Sequence, residues 1–283
     1  MTGPLEGNTH PAVKRSFTQS LSLYWTLQKA ALRAETGYRF NFVLLVVMGV
    51  VYQGSGIAFI WVVLSRFDSI GSWTFSDVAF LYSLRLLAHA VWMVPFNQMG
   101  SLDLTVREGR FDIYLMRPLN PLVQVITGRV RMNILGDVIT GVTMFVFAVS
   151  AADVDWTVVK VLYLVLAVLG GAAAEGAVVM LVSALSFRFL HTWSAHALTD
   201  NVFLLFGSYP LHIFGAATTW LLTWTVPVAF VAYLPASVLL GRTGDLAVHP
   251  AVAWAAPAIG FLWLFVAYRI WFRQMRHYQS TGS

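Results

Sequence analysis

FNFVLLVVMGVVYQGSGIAFIWVVL, residues Phe40–Leu64, contains no Asp, Glu, Lys or Arg. At about 1.5 Å per residue, a helix of this length exceeds the ~30 Å hydrocarbon core of a bilayer. The stretch reads as a membrane-spanning helix, and the rest of the chain follows the same pattern. Of the 283 residues, 58% are hydrophobic and 11% charged, with a mean hydropathy of +0.70. A soluble domain carries about 25% charged residues. The apolar residues come in long blocks rather than short alternating segments, which excludes a β-barrel. There is no cysteine, so neither a disulfide nor a thiolate metal site is expected. Residues 1–19 are polar and lack the apolar region of a signal peptide, so the first span is expected to act as the insertion signal.

Working outward from that span, Val78–Asn97 reads as the second, interrupted by Arg85 and His89. Met132–Ala152 is the third, with Asp137 inside it, and Val161–Phe187 the fourth, with Glu175 inside it. The block Asn201–Leu240 carries no Asp, Glu, Lys or Arg, and breaks are expected at Gly207, Pro210, Gly215, Pro227 and Pro235. Ala251–Tyr268 is the last span, ending at Arg269. Positive charge marks the cytoplasmic side. Lys14, Arg15, Lys29, Arg33 and Arg39 precede the first span, and Arg269, Arg273 and Arg276 follow the last, so both termini are expected inside and the span count is even. With six spans, fourteen of the eighteen Lys and Arg residues fall inside. Arg66, Lys160 and Arg242 fall outside, beside Asp68, Asp77, Asp153, Asp155 and Asp245. The fold expected is therefore an all-α polytopic membrane protein of six transmembrane helices, with the 209–240 region a re-entrant hairpin between spans five and six. Residues 1–16 and 276–283 form cytoplasmic tails around a single 40–275 transmembrane domain.

Residues 17–39 read as a helix that does not span. Thr18, Ser22, Thr26, Lys29 and Arg33 recur at spacings of three and four and form one polar stripe, flanked by Leu21, Trp25 and Leu32 on one side and Tyr24, Leu27 and Ala31 on the other. A broad apolar face with aromatic and basic residues suits an amphipathic helix lying on membrane lipid at the cytoplasmic interface.

The segment GSLDLTVREGRFDIYLMRPLNP, Gly100–Pro121, is the charged interruption in this apolar chain. Gly100 and Gly109 permit tight turns, and Pro118 and Pro121 are expected to stop helices. Between them, Leu102–Arg107 and Phe111–Met116 are expected as short helical turns. Leu102, Leu104, Phe111 and Leu115 alternate there with Asp103, Arg107, Glu108, Arg110, Asp112 and Arg117. Apolar knobs among charges on a short rigid element suit docking against another protein, and equally a loop held to lipid headgroups.

The run Gly100-x-Leu102-Asp103, then Glu108-Gly109-Arg110-Phe111-Asp112, then Leu115-x-Arg117-Pro118-Leu119-x-Pro121 resembles the segment after the second span in bacterial ABC-type-2 exporter permeases. The interfacial helix, the Tyr209-Pro210 break, Pro227, Pro235 and the tail Tyr278-Gln279-Ser280 are similar too. The resemblance implies a type-2 ABC exporter-like fold and a coupling segment that contacts an ATPase subunit through Leu102, Asp103, Arg107, Glu108, Gly109, Arg110, Phe111 and Arg117, with Leu102, Asp103, Glu108 and Arg110 foremost. It also implies a second permease in a homodimer or related heterodimer, and residence in a bacterial inner (plasma) membrane. No G-x-x-x-x-G-K-[ST] phosphate loop occurs in the chain. ATP and Mg are therefore expected in a separate ATPase polypeptide, with no cofactor and no catalytic site on this chain.

Arg85, Asp137 and Glu175 lie inside spans, where an ionised residue at the helix centre costs roughly 2.5 to 3.5 kcal/mol and so faces protein or water. At about 1.5 Å per residue, Arg85 sits roughly 20 Å from Gln98 and Glu175 roughly 18 Å from Phe187. The matched depths predict an Arg85–Glu175 ion pair. His89 is one turn from Arg85 and shares its side. By the resemblance, spans two and five line the translocation path, which makes Arg85, His89, Met93, Asn97, Asn201 and Phe206 candidates for its wall, with Glu175 a further intramembrane polar group. Gly170, Gly171, Ala174 and Gly176 permit close helix packing. No histidine spacing suggests a metal site, and nothing suggests nucleic acid as a partner. The function these features favour is the permease subunit of an ATP-driven exporter of a hydrophobic or amphipathic substrate. A secondary transporter and a membrane scaffold anchoring a soluble complex are the alternatives.

Overall fold

The computed structural model describes residues 26, 29, 39–64, 66, 69–126, 133–152, 154–189 and 191–280. The expected interfacial helix 17–39 falls outside the described residues except for Thr26 and Lys29, which are helical, and the first residue of the helix that follows. All named elements are helical. Four long apolar helices make up the first part of the body: α1 (Arg39–Leu64), α2 (Phe75–Phe96), α6 (Asn133–Ala151) and α7 (Val158–Ala184). Between α2 and α6 lie the short helices α3 (Leu102–Arg107), α4 (Arg110–Met116) and α5 (Pro121–Ile126). After α7 come α8 (Trp193–Phe206), α9 (Ala216–Trp224), α10 (Tyr233–Leu239), α11 (Pro250–Trp254) and α12 (Ala256–Met275). Among the described residues, Phe75–Val94 and Val158–Phe187 are long and apolar enough to cross a membrane. The pair Ala216–Trp224 and Val228–Leu239, bent by 74°, makes a third if it is one span.

The bend falls at Pro227, where the missing N–H and fixed φ end α9. Pro210 and Gly215 likewise sit between elements, and Gly215 adopts φ +77°. Pro235 and Pro121 behave differently from the expectation. Pro235 occupies the first turn of α10 and Pro121 begins α5, positions whose N–H has no helical partner, so proline fits there without breaking anything. Asn120 Oδ1 accepts from Leu122 N at 2.9 Å and caps α5. The last helix, α12, continues through Arg269 and Arg273 to Met275, beyond the apolar run Ala251–Tyr268.

α7 and α12 make the most extensive helix pair, crossing at Gly170 and Gly260, where a Cβ on Gly260 would collide with the carbonyl of Gly170. α2 lies between α6 and α7, and α1 packs on α6. The apolar core divides in two. One cluster gathers Trp73, Phe80, Leu84, Phe203 and the whole Val228–Leu234 stretch. The other gathers Met99, Leu102, Val106, Phe111, Phe187 and Trp271, and so locks the segment between α2 and α6 to the ends of α7 and α12.

Candidate functional site

The charged segment folds as two helical turns hinged at Gly109. Its φ of +67° belongs to the left-handed region that glycine enters at little cost, and open space surrounds its Cα. The periodicity of each turn sorts the segment into two faces. Leu102, Asp103 and Phe111 point inward and are buried. Asp103 is satisfied locally, its Oδ1 accepting from Leu104 N at 2.8 Å and its Oδ2 from Arg107 at 3.4 Å. Arg107, Glu108, Arg110 and Arg117 are exposed, and Glu108 pairs with Arg110 at 2.5 Å. Gly109 is half-buried. The outward face also carries Leu104, Ile113, Leu115 and Met116, the last 77% exposed. Leu102, Asp103 and Phe111 therefore hold the segment to the protein, while the apolar side chains free to meet a partner are Leu104, Ile113, Leu115 and Met116.

Phe111 is the anchor. Its ring lies 5.1 Å from that of Phe187, at the end of α7, and 5.0 Å from Tyr278, beyond the end of α12. Trp271 completes the group at 5.1 Å from Phe187. The neighbouring Asp112 receives two hydroxyls from the C-terminal tail, Tyr278 Oη at 2.9 Å and Ser280 Oγ at 2.6 Å. Burial and the Asp112 carboxylate together push the Tyr278 phenol up to about 12. Gln124 of α5 closes the segment by donating to the carbonyls of Tyr114 and Leu119.

A second polar site lies among the long helices. Glu175 of α7 meets His89 of α2, with Oε1 2.5 Å from Nδ1. The expected Arg85–Glu175 pair does not form. Arg85 is buried, makes no ion pair among the described residues, and leaves Nε and Nη1 without hydrogen-bond partners. One helical turn decides the difference: His89 stands beside Glu175, whereas the Arg85 Cδ lies against Gly207 at the end of α8. Asp137 of α6 accepts from Gln53 Nε2 of α1 at 2.9 Å. Arg85, His89, Asp137, Glu175 and Asp200 lie close enough to act on one another, so α2, α6, α7 and α8 each contribute an ionisable group to one neighbourhood. Gln53 and Asp200 were not among the sequence candidates. Asp200 was legible in principle, since it immediately precedes the charge-free block that begins at Asn201; Gln53 is an unremarkable polar residue in a span until its partner is known.

Of the remaining candidates, Met93 is half-buried against the second core cluster, and Phe206 stacks edge-on against Phe214 at 5.0 Å. Asn201 is exposed and donates to the carbonyl of Ala197 at 2.7 Å. Asn97 opens the 3-10 turn Asn97–Ser101, and its side chain lies outside the described residues. At the opposite end of the molecule from the Phe111 anchor, Arg242 ties two loops together. It meets Asp77 at 2.6 Å and the Ser72 carbonyl at 2.8 Å, and it lies over the Trp73 ring. Among the described residues no group of three or more His, Cys, Asp and Glu is placed to hold a metal ion.

A family model described as ABC-2 family transporter protein matches residues 50–282. No curated protein and no solved structure matches the chain.

Proposed function

The chain belongs to the ABC-2 family of transporter proteins, and from that membership we propose that it is the permease subunit of an ATP-driven exporter powered by a separate ATPase. The observation that carries the proposal is the two-sided charged segment. Phe111 and Leu102 bury its inner face, while its outer face shows Leu104, Ile113, Leu115 and Met116 beside Arg107, Glu108, Arg110 and Arg117. Exposed apolar side chains on a rigid element, ringed by charge, match the anchor-and-rim composition of a protein interface. The ATPase is the partner assigned to this face. The chain contains no phosphate loop, so the ATP and Mg belong to that subunit.

The proposed arrangement has six spans, both termini in the cytoplasm of a bacterial plasma membrane, and two permeases, alike or related, on two ATPase subunits. The bent pair α9–α10 supports a re-entrant hairpin in the 209–240 region. ATP-driven closure of the ATPase pushes on the docking segment and shifts the helices around the His89–Glu175 site, moving a hydrophobic or amphipathic cargo outward. The test uses the absence of native cysteine. With Glu108→Cys or Arg110→Cys, a crosslink to a co-expressed ATPase subunit and ATPase activity of the purified complex are expected. If no nucleotide-binding subunit co-purifies even after crosslinking, the proposal fails.

A further inference from the structure

We propose that Asp112, Tyr278 and Ser280 form a strap that delivers movement of the docking segment to the last helix, α12, and that Tyr278 is a positioning residue for the transport stroke. The inference rests on the ATPase reading above and adds where the push is sent.

Continuity of the chain alone would send it to α2. The docking segment follows α2 through the 3-10 turn Asn97–Ser101, and any displacement of α3 pulls on that end directly. The tail supplies a second route. Both oxygens of the Asp112 carboxylate are taken by hydroxyls that lie beyond the end of α12, Tyr278 Oη at 2.9 Å and Ser280 Oγ at 2.6 Å. A carboxylate fixed at both oxygens resists rotation as well as stretching, and hydrogen bonds to a charged acceptor are the stronger kind. Beneath it the rings of Phe111, Phe187, Tyr278 and Trp271 interlock at 5.0 to 6.3 Å. These rings come from α4, the end of α7, the tail and α12, and Phe111, Phe187 and Trp271 are buried.

The pair that receives the strap is itself stiff. α7 and α12 touch backbone to backbone at Gly170 and Gly260, leaving no side-chain layer to absorb displacement. α4, the tail, α7 and α12 are thereby one mechanical unit. α2 packs directly on α7, where Glu175 reaches His89, and α1 and α6 lie beyond it. A push on α4 that travels through the strap moves Glu175 with α7 against His89. Packing of Leu102, Val106 and Phe111 on Phe187 and Trp271 already couples the segment to α7 and α12, and the strap is what stiffens that coupling.

The test places spin labels at Met48→Cys on α1 and Ile270→Cys on α12, both exposed positions in a chain with no native cysteine. Their separation is measured in the permease–ATPase complex with and without ATP. A shift in the distance distribution on ATP binding is expected for the native strap. In Tyr278→Phe with Ser280→Ala the shift falls by at least half, while ATP hydrolysis stays within about twofold. The phenylalanine keeps the ring against Phe111, so the fold is retained. Asp112→Asn, made separately, reduces the shift in the same direction, and Ser280→Thr, which keeps the hydroxyl, retains it. A full shift surviving the loss of both tail hydroxyls overturns the strap, as does a native complex whose distance ignores ATP. An ATPase that never associates overturns the functional reading instead.

Discussion

His89 and Glu175 show how much one buried pair commits a membrane protein to. Glu175 is 3% exposed, and its Oε1 has a single side-chain partner. Removing His89 leaves the buried Glu175 carboxyl without its hydrogen-bond partner, which costs about 1–3 kcal/mol. His89→Ala is therefore expected to lower the melting temperature of the detergent-solubilised permease sharply, and adding Glu175→Gln is expected to recover much of the loss. Exchanging charges between Arg85 and Glu175 is expected to rescue nothing, because the two make no ion pair. Equal recovery in the Arg85→Glu, Glu175→Arg double variant would refute this assignment. Counting residues from the helix ends brought Arg85 and Glu175 to the same level, but that count was one helical turn out: His89, four residues on and on the same side of α2, stands beside Glu175. Outside the membrane, Tyr278 offers a pH-dependent readout. Its phenol is raised by burial and by Asp112 to about 12, so its donated hydrogen bond contributes fully below the ordinary tyrosine value of about 10. That contribution is lost as pH climbs through about 12. Alkaline absorbance titration should show the late tyrosinate signal reduced by one tyrosine in Tyr278→Phe, and one tyrosine's share of it moved toward the ordinary range in Asp112→Asn.

Elements were legible where the sequence changes solvent and obscure where packing decides. The charge-free run Phe40–Leu64 became α1 almost residue for residue, and Leu102–Arg107 became α3. By contrast, α12 runs past the last apolar residue of its span to Met275, because apolarity reports the surroundings of a helix and not its hydrogen bonds. The two faces of the charged segment could not be separated either, since Leu102 and Leu104 look alike until Met99, Phe187 and Trp271 are known to lie on one side. The α7–α12 crossing gives the element-scale prediction. In Gly260→Ala the new methyl meets the Gly170 carbonyl, a backbone atom that cannot turn away, so the helices must separate. Overpacking of this kind costs typically 1–3 kcal/mol. Thermal unfolding should register the loss, whereas Gly244→Ala, in open space, should leave stability unchanged.

At the scale of the whole molecule, charge and geometry group the same segments by separate routes. The arginine distribution placed Asp77, Arg242 and Asp245 outside, and the structure gathers these three around Ser72, from loops far apart in sequence. It placed residues 100–121 and the tail together on the inner side, and the structure joins them at Asp112. A chain threaded with an odd number of spans between these two groups satisfies both clusters, since each is local to one end. The tail supplies the further constraint, because it must return to the side of the docking segment. Single-cysteine labelling with a membrane-impermeant maleimide tests this directly. Arg110→Cys and Gln279→Cys should react in inverted vesicles and stay silent in intact cells, and Gly244→Cys should do the reverse. Reaction of Gln279→Cys from outside would break the even span count and, with it, the strap to Asp112, because a tail on the far face cannot reach the docking segment.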